Sequence, residues 1–141
     1  MNREIKEKLE ELKKTNDKEI IKMKIIELYS ILLGYYSGIR DKKNINLNND
    51  TIIKDIDDRL KELTNSNYSY IDGVSFSIKD NLFSNINYLV LDDNKNIKTL
   101  SIILMSFLYG YDYVDCINLT YKKQKYNKKM LELKRVLDFY K

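Results

Sequence analysis

The chain of 141 residues carries 25 basic and 21 acidic side chains, one cysteine, no histidine and no proline. This composition excludes zinc sites built from cysteine and histidine, triads that need an imidazole, and an internal disulfide bond. The length and the 43% hydrophobic content predict one globular domain over residues 1–141, with enough apolar side chains for a single core.

The first two predicted helices lie at the N-terminus. Residues 3–14 place their leucine and isoleucine side chains on one stripe, which is typical of an amphipathic helix. Asn16 followed by Glu19 resembles a capping box that begins a second helix. Its apolar residues recur at helical spacing, and Gly38 is a natural C-terminal stop. The pattern leaves open whether these are two helices or one bent helix.

A polar, asparagine-rich loop over residues 41–50 separates these helices from a third. Asn49 or Asp50 is suited to cap that helix, which is predicted to run to about Leu63 with isoleucines and leucines facing the core. The N-terminal half of the chain is therefore predicted to be helical.

The pattern then changes to a period of two. Residues 68–78 alternate on both sides of Asp72-Gly73, which is the strongest short-range signal for a β-hairpin. The next apolar run, residues 86–91, is short and rich in β-forming residues, so we expect a third strand.

The last third of the chain is predicted to contain a helix, a strand and a second helix. The helix, at about 95–109, is apolar nearly all round and is expected to be central, with Gly110 as its stop. Residues 112–121 alternate as a fourth strand does, and a final helix begins at Lys122. The chain has no long apolar run and no secretory signal pattern, so we expect neither a membrane-spanning helix nor secretion.

These elements predict an α+β fold: a helical N-terminal half, then a small antiparallel or mixed sheet with a central buried helix and a C-terminal helix. The alternative is an all-α helical bundle in which residues 74–91 form one helix.

Reactive residues near the predicted strands have simpler explanations than catalysis. Cys116 follows Asp115, whose negative charge disfavours a thiolate, and a small cysteine is ordinary strand filler. Asp92 and Asp93 at the end of one strand and Asp112 at the start of another would lie on opposite edges of a sheet. We therefore expect no catalytic residue, no metal site and no cofactor.

The best candidate for binding is a basic segment with interleaved tyrosines at the start of the last helix. Lysines beside aromatic rings can neutralise phosphates or meet an acidic protein surface while the rings stack. A solvated lysine face is the plainer interpretation of the same pattern. The candidate residues are Tyr121, Lys122, Lys125, Tyr126, Lys128 and Lys129.

The leading functional hypothesis is a small non-catalytic, cytoplasmic protein that binds another protein as an inhibitor, immunity protein or adaptor. The abundance of lysine, asparagine, isoleucine and tyrosine is typical of A/T-rich coding sequences, such as those of phages, viruses and mobile elements. The second hypothesis is non-sequence-specific binding of nucleic acid by the basic C-terminal helix. The third is a metal-dependent phosphoryl-transfer enzyme. The oligomeric state stays open, and a homo-oligomer is compatible with the sequence.

Overall fold

A computed structural model describes residues 2–43, 49–64, 97–114 and 123–139, and its regular elements in those ranges are α-helices. In chain order the helices are α1 (Asn2–Lys14), α2 (Lys18–Lys43), α3 (Asn49–Thr64), α4 (Ile97–Tyr113) and α5 (Lys123–Asp138). No strand occurs in the described ranges. The predicted α+β fold is therefore wrong, and the structure fits the alternative of an all-α bundle.

The predicted strand over 112–121 is wrong where it can be compared, because Asp112 and Tyr113 form the end of α4. The apolar side chains after Gly110 alternate as in a strand, but their spacing also fits the helical period of 3.6 residues. Tyr111 lies one turn after Phe107, and their rings stack with centroids 5.7 Å apart. The period of 3.6 is realised because this stretch packs against α2. The strands predicted at 68–78 and 86–91 lie outside the described residues.

The helices predicted in the N-terminal half are confirmed, and the break between the first two falls at residues 15–17. The side chain that caps α2 is Asp17 and not Asn16. Its Oδ1 accepts hydrogen bonds from the backbone N–H groups of Glu19 at 2.9 Å and Ile20 at 3.4 Å. An aspartate in this position satisfies free amides and carries a charge that favours a helix N-terminus.

Helix α2 lies at the centre of the bundle. Every residue from Ile25 to Ile39 is buried except Glu27, which is half-buried and pairs with Lys8 and Lys24. The prediction that the helix at 95–109 is central is wrong, because α4 leaves Met105 71% exposed.

Glycines allow α2 and α4 to approach until their backbones touch. A Cβ atom on Gly34 would lie 1.9 Å from the backbone oxygen of Phe107, and one on Gly110 would lie 2.1 Å from that of Ile31. Both distances are far below any real contact. The predictions that Gly38 and Gly110 end their helices are therefore wrong: α2 runs to Lys43 and α4 to Tyr113, with these glycines as packing residues.

The remaining helices surround α2, and the extensive contacts between described helices all involve it. Each contributes a short set of buried side chains to one common core. These are Ile5 and Leu12 from α1, Ile53, Ile56 and Leu60 from α3, and Met130, Leu133 and Leu137 from α5. Among the described helices, none is both long enough and apolar enough to cross a membrane.

We predict that Gly34→Ala and Gly110→Ala each destabilise the protein by about 3 kcal/mol or more, because the new methyl group meets backbone atoms that cannot rotate away. Urea unfolding followed by circular dichroism measures the change.

Gly38→Ala is the matched control. The nearest atom there is Cγ2 of Val114, at 2.7 Å, which belongs to a side chain. Because that side chain can shift, the loss should be clearly smaller than at Gly34 or Gly110. Equal losses at all three positions would contradict the assigned backbone contact.

Tyr36 is a second constraint on the centre of the bundle. The side chain is 3% exposed, and its hydroxyl has no hydrogen-bond partner in the part of the chain that the structure describes. Its ring meets that of Tyr35 edge-on, with centroids 5.3 Å apart. Burial raises the pKa of the Tyr36 hydroxyl to about 12, because the phenolate would be desolvated.

We predict that Tyr36→Phe stabilises the protein at pH 7 by about 1 kcal/mol, since the variant buries no unsatisfied hydroxyl. The gain should increase at high pH. The folded-state pKa of Tyr36 lies above the ordinary value of 10.0. Above about pH 10 the unfolded chain therefore loses this proton while the folded protein keeps it, and the wild-type protein loses stability as the pH rises towards 12. Between pH 7 and pH 11 the unfolding free energy of the variant should fall by about 1 kcal/mol less than that of the wild-type protein. An unchanged or negative difference at both pH values would contradict the unsatisfied hydroxyl.

Candidate functional site

Helix α5 is held to the bundle along a narrow apolar stripe. Met130, Leu133 and Leu137 recur at i, i+3 and i+7 and are at most 5% exposed. Most of the remaining described side chains of the helix and its C-terminal end face solvent. We call this set the α5 outer face; it consists of Lys128, Lys129, Leu131, Glu132, Arg135, Val136 and Phe139.

The α5 outer face combines large apolar side chains with positive charge. Phe139 is 88% exposed, and Leu131 and Val136 are each exposed by more than a third. Helix α5 holds six basic and two acidic residues, a net charge of +4. The whole chain also has a net charge of +4, so the other residues balance to zero. The excess positive charge of the protein therefore lies on this helix.

The binding residues predicted from the sequence are only partly described. Lys128 and Lys129 are exposed on α5, as binding through a basic segment of this helix requires. Lys125 and Tyr126 lie within α5. Tyr121 and Lys122 lie outside the described residues, so the basic segment with interleaved tyrosines, taken as a whole, stays a prediction.

A groove of about 420 Å³ lies between α3 and α5. Helix α3 lines it with Thr51, Ile52, Lys54, Asp55 and Asp58, and α5 lines it with Leu131, Lys134 and Arg135. Ile52 and Leu131 give the groove apolar surface, while charged side chains stand along both helices. Leu131 and Arg135 belong to the groove and to the α5 outer face, so the two surfaces are continuous.

Lys134 crosses between the two helices at the groove. Its Nζ lies 2.5 Å from Oδ2 of Asp55 and 2.9 Å from Oδ2 of Asp138. Burial alone would lower the pKa of the Lys134 ammonium, but its hydrogen bonds to the two carboxylates outweigh that effect and raise the pKa above its ordinary value. This lysine is therefore a structural cation and not a free one.

The carboxylate of Asp138 also connects α5 to the central helix, α2. The buried Tyr29 hydroxyl donates a hydrogen bond of 2.6 Å to Oδ1 of Asp138. Burial raises the pKa of Tyr29, and the hydrogen bond to Asp138 raises it further. Arg59 of α3 lies over the Tyr29 ring, with its guanidinium carbon 5.9 Å from the ring centroid. Polar contacts thus fix α5 against both α2 and α3.

Three other charged side chains at the groove differ from Lys134. Lys54, Asp58 and Arg135 are exposed, and none forms an ion pair with another described residue. By contrast, the lysines between α1 and α2 are engaged: Lys24 lies 2.7 Å from Glu11, and hydrogen bonding to Lys24 lowers the pKa of that glutamate. The groove therefore presents charges that are available to a partner.

A second pair of exposed apolar residues lies on α4, but it is smaller. Met105 and Tyr109 are one turn apart. Burial, and then a hydrogen bond with Glu4 of α1, raise the pKa of Tyr109 to about 12. The hydrogen bond from Tyr109 lowers the pKa of Glu4 to about 2. Tyr109 is thus already engaged within the protein, which leaves α5 as the stronger candidate.

The α3 side of the groove was missed by sequence reasoning. The contact between Asp55 and Lys134 joins residues 79 positions apart, and no local pattern signals it. Within the described ranges, no three side chains of histidine, cysteine, aspartate or glutamate lie close enough to hold a metal ion. Asp112 is exposed at the end of α4. Asp92, Asp93, Asp115 and Cys116 fall in undescribed segments.

Comparisons of the chain with protein-family models, with curated proteins and with solved structures found no match. The chemistry of the surface itself is therefore the basis for a function.

We predict that Tyr29→Phe destabilises the protein by about 1 kcal/mol, because Asp138 loses a charge-assisted hydrogen bond. Thermal unfolding measures the change. Tyr36→Phe is the matched control, since it removes a buried hydroxyl that has no described partner. Changes of the same sign in the two variants would contradict the role assigned to the Tyr29–Asp138 contact.

Proposed function

We propose that this chain is a small, non-catalytic, cytoplasmic protein that acts by binding another protein, as an inhibitor, immunity protein or adaptor does. The α5 outer face and the adjoining groove would form the binding surface. The observation that carries the proposal is the exposure of Leu131 and Val136 on α5 and of Phe139 directly after it, on the helix that also carries the excess positive charge.

Exposed apolar side chains of this size are costly to keep in water. Covering a side chain such as Phe139, which is 88% exposed, would gain about 1.5–3 kcal/mol. Phe139, together with the exposed parts of Leu131 and Val136, supplies the kind of apolar anchor that dominates protein interfaces, and Leu131 also lines the groove. Lys128 and Arg135 would then form the polar rim, where charge sets specificity and the rate of association.

Binding of nucleic acid is the second candidate, and the exposure of Lys128 and Lys129 favours it. The apolar residues on the same surface favour a protein partner instead. Leu131 and Val136 gain nothing from a phosphate backbone and cannot stack on bases as tyrosine does.

We predict that a tagged form of the protein captures a specific host protein, and that Leu131→Ser/Phe139→Ser reduces the capture at least about tenfold through lost apolar burial. The measurement is quantitative mass spectrometry of material retained from lysate, with and without nuclease.

Ile20→Ser/Met105→Ser is the matched control, because it also removes two exposed apolar side chains, from α2 and α4. The proposal requires that this variant still capture the protein and that nuclease have no effect. If both double variants lose it equally, the α5 surface is not the binding site. If nuclease abolishes capture, the nucleic-acid candidate replaces the proposal.

A further inference from the structure

We infer that the partner presents an acidic amphipathic helix, which lies along α5 with its apolar side chains directed into the α3/α5 groove. This inference rests on the proposed function and adds the chemical class of the partner. It is based on the positive charge of the α5 surface and on the spacing of three α5 residues.

The spacing on α5 places an apolar side chain between two cations. Lys128, Leu131 and Arg135 stand at i, i+3 and i+7, and so lie along one side of the helix. The two cations are about 10 Å apart along the axis, because a helix rises 1.5 Å per residue. A second helix with carboxylates two turns apart and an apolar residue between them matches this row.

The groove adds apolar contacts and a third cation. Ile52 lines the α3 side and Leu131 the α5 side, and Lys54 stands on α3. The volume of about 420 Å³ has room for anchoring side chains of a bound helix, and the helix itself would lie across the opening. The groove therefore favours a partner with apolar anchoring side chains, and the cations at its rim favour a partner with negative charge.

The acidic groups of the groove do not cancel this preference. Asp55 lies 2.5 Å from Lys134, which also binds Asp138. The lining of the groove nevertheless holds three cations and two carboxylates. Asp58 and Glu132 remain as isolated negative charges on either helix. They disfavour a uniformly anionic polymer such as nucleic acid, and they accept a peptide that carries occasional basic residues among its acidic ones.

The test uses a fluorescent synthetic peptide of about 18 residues, long enough to form a helix on binding. It consists of leucine and glutamate at helical spacing. Three probes of equal length accompany it: the same peptide with lysine in place of glutamate, polyglutamate, and single-stranded DNA. Fluorescence anisotropy measures each dissociation constant. The leucine–glutamate peptide should bind best, and increasing the salt from about 50 mM to about 500 mM should weaken it several-fold.

Lys128→Glu/Arg135→Glu should weaken binding of the leucine–glutamate peptide about tenfold or more, because two attractive contacts become repulsive. Leu131→Ser should weaken it as well. The matched control, Lys13→Glu/Lys14→Glu, changes the net charge equally on an exposed part of α1 and should have little effect. Circular dichroism confirms that each variant is folded.

The inference is overturned if the lysine peptide, polyglutamate or DNA binds as tightly as the leucine–glutamate peptide. It is also overturned if both charge variants weaken binding equally, or if no binding is seen at about 1 mM peptide. Its failure differs from that of the proposed function. If capture from lysate still depends on Leu131 and Phe139 while the peptide neither binds nor competes, protein binding stands and the acidic helix is wrong.

Discussion

The backbone contact between α2 and α4 is the constraint on which the rest of the fold depends. Gly34 and Gly110 bring the two helices so close that a single methyl group on either would overlap a main-chain oxygen. Next to this contact the rings of Phe107 and Tyr111, one turn apart on α4, stack with centroids 5.7 Å apart. With α4 seated in this way, α2 has surface left for α1, α3 and α5, and becomes enclosed.

The enclosure of α2 explains how α5 can carry a free surface. The last helix needs only a narrow stripe of three apolar residues to reach the core. Its orientation is fixed by polar contacts, in which Asp138 binds Tyr29 and Lys134 binds both Asp55 and Asp138. Hydrogen bonds between charged groups require a narrow range of distances and angles, so they act with the apolar stripe in setting the rotation of the helix about its axis. The outer side of α5 is thus held in a constant orientation.

The distribution of charge gives this surface its character. The net charge of helix α5 equals that of the whole chain. At the contact of α1 and α2, by contrast, Lys8 and Lys24 are paired with glutamates. Large apolar side chains stand among the free cations and beside a groove. A surface that is both apolar and basic is suited to a protein ligand with the opposite charge, more than to a phosphate backbone.

The sequence by itself determined the helices of the N-terminal half, the start of α5 to within a residue, and the exposure of Lys128 and Lys129, because hydrophobic spacing and charge are local properties. Only the tertiary structure decided that residues 110–113 continue a helix. Alternating and helical periods overlap there, and packing on α2 selects between them. The roles of Gly38 and Gly110, and the groove that joins Asp55 to Lys134, also lay beyond the sequence. A glycine that ends a helix and a glycine that admits a neighbouring backbone look the same until the neighbour is in place.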